Sequence, residues 1–406
     1  MSRLPSPRTG RRSRFAVLAT CLTALAAAPA AHATSVYEPP NPLPPVEAGA
    51  VLKSQSSTLT LYGVPQSSWT RAWRVLYRST ALDGSPIAVS GLLAVPRYGN
   101  NAARPIVAMG HGTEGLGDQC APSKQFTGGA GLESGTMYSL LKRGYAVMLS
   151  DGPGFGTPGD PTYIVGPAAG RALLDGVRAA RQLSAAGLAR DGRVGAFGYS
   201  EGGNTTAWAN EIQADYAPDV QLAGSVAGGT PADLNAVAPN LNGSLFAAFL
   251  FAGAVGLNSA FPELDLPKYL NNAGRAGLAF GRGGCTLDVL PYFAFKKISD
   301  LTTSNPLEQP DWQARIASVR AAQQAGAAPL YVFHGTSDEI LPYPQAAAMR
   351  ERYCALGATV RFVTYRQTHF PTYASGAGSA FAWLAARLRG EPEAGNCEAP
   401  SPAPGA

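Results

Sequence analysis

The stretch RVGAFGYSEGGNTTAWAN, residues 193–210, decides how the rest of the chain is read. Residues 194–197 form a short apolar run of the kind that fills a buried strand, and from Asn204 onward the pattern turns helical. Between them Gly198-Tyr199-Ser200-Glu201-Gly202 matches G-x-S-x-G. With 47 glycines in the chain the pattern alone is weak, and its context gives it meaning. A strand running straight into a helix needs a sharp turn that lifts Ser200 clear of the sheet. Flanking glycines are required there because side chains would collide with the neighbouring strand and helix. Ser200 is therefore the candidate nucleophile, against the plainer alternative of a glycine-rich βα turn.

Working outward, residues 73–77 and 87–95 flank Asp83-Gly84, a turn signal, and read as an antiparallel pair. Short apolar runs at 105–109, 145–149, 194–197, 220–227, 330–333 and 360–365 read as buried parallel strands. Helical patterns at 170–183, 204–213, 343–356 and 379–388 separate most of them. This order predicts an α/β protein with an open, mostly parallel sheet covered by helices on both faces. The core is expected at 51–228 and 326–390. One interval, 229–325, is far longer than the others and carries LFAAFLFAGAV (245–255) and VLPYFAF (289–295). Because it follows the carboxyl end of a strand, where such sheets hold their ligands, it is expected to be a cap or lid over the site rather than extra core.

A serine needs a base within hydrogen-bond reach. Outside the first 33 residues the chain has three histidines: His111, His334 and His369. The order in doubly wound hydrolases is serine, acid, histidine. His111 precedes the serine and His334 ends a strand with no suitable acid before it, so His369, just past the last strand, is the expected base. The acid is expected in His334-Gly-Thr-Ser-Asp338-Glu339, directly after a strand end; its task is to hold the imidazole tautomer. Asp338 is preferred, although spacing alone does not separate it from Glu339. His334 is then a structural residue below the loop. Two backbone N–H donors are needed for the oxyanion. Glu201 follows the nucleophile and supplies one, and the glycine-rich loop 110–115 supplies the other, at Thr113 or, next in line, Glu114.

Of the 406 residues, 32 are Lys or Arg and 27 Asp or Glu, a formal net charge of +5. The excess sits at one end: residues 1–33 hold Arg3, Arg8, Arg11, Arg12 and Arg14 and no acid, which leaves 27 basic against 27 acidic residues. The apolar run behind those arginines and the Ala31-His32-Ala33 site read as a signal peptide over 1–33. A neutral body with 15% charged residues has no footprint for nucleic acid, and no apolar stretch is long enough for a transmembrane segment. The reading is a secreted protein, with the periplasm as the other exported compartment. Cys120, Cys285, Cys354 and Cys397 remain after Cys21 leaves, an even number that suggests two disulfides with three pairings open. Their spacing argues against a metal site. Proline-rich stretches over 34–50 and 391–406 read as an N-terminal arm and a tail, both poor core material.

Gly198-Tyr-Ser-Glu-Gly-Gly203, Gly110-His-Gly-Thr-Glu-Gly115, Asp118-Gln-Cys-Ala-Pro-Ser123, Ser150-Asp-Gly-Pro-Gly-Phe-Gly156 and the His334–Asp338 loop together resemble the secretory lipases of the α/β-hydrolase fold. The likeness runs from about residue 70 to 397, with Cys-Ala-Pro-Ser its most distinctive string. It implies a triad of Ser200, Asp338 and His369, a helical cap between strands six and seven, and disulfides joining Cys120 to Cys285 and Cys354 to Cys397. It also implies an acidic residue at the oxyanion loop, for which Glu114 stands closest.

The expected function is a serine carboxylic ester hydrolase, a lipase or carboxylesterase, working through an acyl-enzyme on Ser200 and requiring no metal or organic cofactor. Lipid or other small esters are the expected partners, with contact to a lipid interface through the cap. A serine peptidase or amidase of the same fold is the enzyme rival. Its binding of charged termini is disfavoured by the sparse charge of the insertion. A non-catalytic exported binding protein is the rival from another class.

Overall fold

The computed structural model describes residues 35–399. The expected signal peptide and the last residues of the tail lie outside them. Nine strands form one sheet: β1 Val51–Ser57, β2 Thr70–Thr80, β3 Pro86–Pro96, β4 Ile106–Met109, β5 Ala146–Ser150, β6 Val194–Tyr199, β7 Leu222–Gly228, β8 Leu330–Gly335 and β9 Val360–Tyr365. Their spatial order is β1-β2-β3-β5-β4-β6-β7-β8-β9. β1, β2 and β3 are antiparallel, β3 meets β5 antiparallel, and every pair from β5 to β9 is parallel. Every residue of β4, β5 and β6 is buried, as expected of central strands covered on both faces.

Thirteen α-helices are present among the described residues. Four belong to the first half: α1 Pro122–Gly128, α2 Ser134–Lys142, α3 Gly166–Gln182 and α4 Glu201–Tyr216. The insertion holds α5 Leu234–Leu241, α6 Ala247–Ala260, α7 Leu266–Tyr269, α8 Asn272–Arg282, α9 Thr286–Phe293, α10 Ile298–Leu301 and α11 Pro310–Ser318; α12 Tyr343–Ala355 and α13 His369–Arg389 close the chain. The alternation along each strand sends odd and even residues to different layers. In β8, Leu330 and Val332 pack with α4 and α12, while Tyr331 and Phe333 pack with α1, α2 and α13. α3 covers the first-named face further along, over β2, β3 and β5.

Four expectations need correction. A ninth strand, β1, precedes the expected pair; its sequence VLKSQSS is mostly polar because it is a half-exposed edge paired only with β2. The insertion consequently lies between the seventh and eighth strands. α13 begins at His369, ten residues before the pattern suggested, since Pro371 falls in its first turn, where the missing N–H is not needed. Nor are the arm and tail idle. Val36 and Tyr37 are buried against Leu76, and Asn396 receives the Phe362 N–H and donates its own backbone N–H to the Val360 carbonyl, so the tail covers the edge of β9.

The insertion has its own apolar core, which includes Phe251, Val255, Leu278, Phe293 and Trp312 and extends onto Leu116, Tyr163 and Val165 of the main body. The disulfides join Cys120 to Cys285, across 165 residues, and Cys354 to Cys397, across 43. No single helix among the described residues is long and apolar enough to cross a membrane.

Candidate active site

Ser200 stands between β6 and α4, at φ 58° and ψ −123°. A non-glycine residue held at positive φ is strained, and the surroundings enforce it. Its N–H donates to the Gly228 carbonyl at 2.9 Å, and its own carbonyl accepts from Asn204 N–H at 3.1 Å. A Cβ on Gly198 would lie 2.0 Å from the Gly202 carbonyl oxygen, and one on Gly202 would lie 2.4 Å from that of Gly110. The glycines of the motif are thus where β6, α4 and the 110–115 loop touch backbone to backbone.

From Ser200 a chain of hydrogen bonds runs inward. His369 Nε2 is 3.1 Å from Ser200 Oγ, and His369 Nδ1 is 2.7 Å from Asp338 Oδ2. The other carboxylate oxygen of Asp338 accepts the Ile340 and Leu341 N–H groups at 3.0 and 2.8 Å. Burial works to raise the Asp338 pKa; the bond to His369, the charges of His369 and His334 and the Leu341 N–H outweigh it and hold the carboxyl below the usual aspartate value. Glu339 does something else: its carboxylate accepts the His369 backbone N–H at 2.9 Å, at the first residue of α13. His334 is fully buried, and its Nε2 donates to the Leu341 carbonyl at 2.8 Å, bracing the acid loop from below.

Several neighbours carried no recognisable sequence signal. Tyr199 donates its hydroxyl to the His369 carbonyl at 2.6 Å and packs its ring 5.0 Å from the imidazole. Glu133 accepts the Gly112 N–H at 2.7 Å. Tyr163 meets the Thr113 hydroxyl at 2.9 Å. Tyr199 stands beside Ser200 in the motif, but its partner His369 is 170 residues away, and Glu133 and Tyr163 come from distant segments, so periodicity could not reveal these contacts.

The loop opposite Ser200 is held from the insertion side. Thr286 donates its hydroxyl to the Thr113 carbonyl at 2.8 Å and its N–H to the Glu114 carbonyl at 2.9 Å, next to the Cys120–Cys285 bridge. The Thr113 N–H makes no hydrogen bond among the described residues. Glu201 opens α4, so its N–H has no intrahelical acceptor. Three carboxyls crowd behind this loop. Burial raises the Glu114 pKa to about 7 and that of Glu133 to about 8, and raises Glu201 well above the usual glutamate value. The nearby Thr113 hydroxyl opposes the rise at Glu201, while the carboxyls of Glu114 and Glu133 add to it.

On the insertion side, Val237, Leu241, Phe246, Phe249 and Leu250 pack against Ile340 and Leu341 of the acid loop. The insertion therefore touches the loops on both sides of Ser200.

Residues 121–396 match the family model described as secretory lipase. A secreted triacylglycerol lipase of Malassezia globosa is 27% identical over 385 residues, covering 90% of this chain and 83% of the relative. Lipase A of Moesziomyces aphidis is 28% identical over 388 residues, covering 88% and 82%. Among solved structures, Candida antarctica lipase A in its closed state matches with a TM-score of 0.80 at 25% identity, over 91% of this chain and 88% of that one. With a family match across most of the chain and this sheet beneath it, the chain belongs to the secretory lipase family, secreted lipase-type ester hydrolases of the α/β-hydrolase fold.

Proposed function

We propose that Ser200, His369 and Asp338 carry out ester hydrolysis through an acyl-enzyme. The observation that carries this is the unbroken chain Ser200 Oγ, His369, Asp338 at a backbone strained to expose the serine. Ser200 Oγ attacks the ester carbonyl carbon while His369 Nε2 takes its proton. The tetrahedral oxyanion accepts hydrogen bonds from the Thr113 and Glu201 N–H groups. Collapse breaks the bond to the alcohol oxygen, which takes the proton from His369. Water then repeats the sequence, and the acid leaves with Ser200 restored. Throughout, Asp338 accepts the Nδ1–H and stabilises the imidazolium.

The insertion, 229–325, acts in this reading as the cap and supplies the acyl site. Leu250 and Ala254 of α6 line two apolar pockets, which suits alkyl chains, since each buried methylene adds about 0.8 kcal/mol. Leu132, Leu287 and Phe370 are exposed and adjoin Glu133, Thr286 and His369 in sequence, and they are assigned to contact with a lipid–water interface.

Ser200→Ala is expected to lower turnover about a millionfold on p-nitrophenyl esters and to abolish labelling by a fluorophosphonate. Turnover within about tenfold of wild type would overturn the assignment. Rates on esters from acetate to palmitate, with and without an oil–water interface, test the acyl and interfacial parts, and aminoacyl anilides run alongside test ester against amide specificity.

A further inference from the structure

Two buried titratable side chains behind the oxyanion loop take no part in the proposed triad. His111, between Gly110 and Gly112, is 6% exposed, and Asp151, just past β5, is 1% exposed. The ring nitrogens of His111 both face backbone carbonyls: Nδ1 is 2.7 Å from the Gly112 oxygen and Nε2 3.2 Å from the Asp151 oxygen. A carbonyl oxygen only accepts, so each contact calls for an N–H, and a neutral imidazole has one. Only the doubly protonated ring satisfies both.

A buried cation needs a counter-charge. The Asp151 side chain is bonded as an ionised carboxylate: Oδ1 accepts the Ser123 N–H at 2.7 Å, and Oδ2 accepts the hydroxyls of Ser123 and Ser90 at 2.5 and 2.6 Å. The remaining titratable groups around His111 are Glu133, which accepts the N–H of Gly112; Glu114 on the same loop; Glu201 and Tyr163, which line the small cavity beside the ring; and Tyr37, bonded to Ser123. Burial raises the pKa values of these glutamates and of Asp151 alike; Asp151 is set apart by its donors, one N–H and two hydroxyls on its carboxylate, which suit it to carry the negative charge. Burial is the largest influence on both groups and leaves the His111 pKa below the ordinary histidine value and the Asp151 pKa above the ordinary aspartate value; the carbonyls on the ring, the donors on the carboxylate and their mutual attraction oppose both shifts, and it is the hydrogen-bond geometry that assigns the charged pair.

We propose that His111 is a positioning residue for ester hydrolysis: as an imidazolium balanced by the Asp151 carboxylate, it ties the Gly112 backbone to that of Asp151 and so holds the Thr113 N–H where the oxyanion forms. The role in turnover rests on the Ser200 reading; the protonation state does not. Loss of the His111 proton as pH rises removes one of the two ties, so turnover falls on the alkaline limb.

The first test is 15N-edited NMR of the native enzyme at neutral pH, with His111→Gln used to assign the ring. Two protonated ring nitrogens are expected, and one bare nitrogen overturns the proposal whether or not Ser200 is the nucleophile. The second is the pH profile of kcat. A single oxyanion donor is worth about 100-fold or more, so a displaced one in His111→Gln is expected to lower kcat roughly tenfold with little change in KM. The alkaline limb should vanish in that variant and move to lower pH in Asp151→Asn. A limb unchanged in either variant overturns the proposal.

Discussion

Ser200 and the two acids near His369 show what single residues contribute. Asp338 and Glu339 are adjacent in sequence and chemically alike, yet one meets the imidazole Nδ1 at 2.7 Å and the other the backbone N–H of the same histidine at 2.9 Å. Removing them should have different consequences. Asp338→Asn, which favours the wrong tautomer, is expected to reduce kcat by about 10⁴. Glu339→Ala removes only an acceptor at a helix N-terminus, with an expected loss of about 1 kcal/mol of stability and less than about tenfold in kcat. Steady-state kinetics with thermal unfolding of both variants checks this, and equal losses in kcat would sink the division of labour.

At the scale of elements, the site is assembled by loops that the sheet and the insertion hold from opposite sides. Ser200 follows β6, Asp338 follows β8 and His369 opens α13, while Thr286 of α9 grips the 110–115 loop beside Cys285. The two bridges should therefore differ in effect. On the chain-entropy model, closing 165 and 43 residues stabilises by roughly 5 and roughly 4 kcal/mol. Removing Cys354–Cys397, which pins the tail to α12, should lower the unfolding temperature while kcat at a permissive temperature stays close to wild type. Removing Cys120–Cys285 should lower both, because the contacts of Gly284 and Thr286 with Leu116, Glu114 and Thr113 lie next to it. Equal kcat losses in paired serine variants would show that the bridge does not support the oxyanion loop.

For the whole molecule, buried carboxyls set how stability varies with pH. Glu114 and Glu133 titrate at about 7 and about 8 when folded, above the ordinary glutamate value of about 4.5. Between those limits the folded state binds more protons than the unfolded chain, so stability falls as pH rises from about 5 to about 8 and then levels. Glu393 has the opposite sign. Burial opposes its ionisation, but Arg361, the Gly395 N–H and Trp383 hold its pKa at about 2, so its contribution is present above about 4.5 and is lost as pH falls towards 2. Asp338, also held low, acts in the same direction. Urea midpoints should peak near pH ~5 and decline towards pH ~8, with a shallower decline in Glu133→Gln. A midpoint that rises across that interval would contradict the burial of these groups.

Much of this molecule was written locally. Apolar runs bounded by glycine specify buried parallel strands wherever they fall, and a G-x-S-x-G between a strand and a helix specifies an elbow, because both depend on backbone geometry within a few residues. With so few histidines, the chain order already singled out His369. Other features had no local expression. β1 is polar because it is an edge, α13 starts early because proline is tolerated in a first turn, and Val36 and Asn396 are held by partners far away in sequence. Asp338 is separated from Glu339 by which carboxylate reaches the ring, and the environments of Glu133, Asp151 and His111 depend on segments brought together from across the chain. Sequence determined the elements and the residues able to do chemistry; tertiary structure decided which of them meet and in what charge state, because burial and hydrogen-bond reach depend on distances in space that local sequence does not encode.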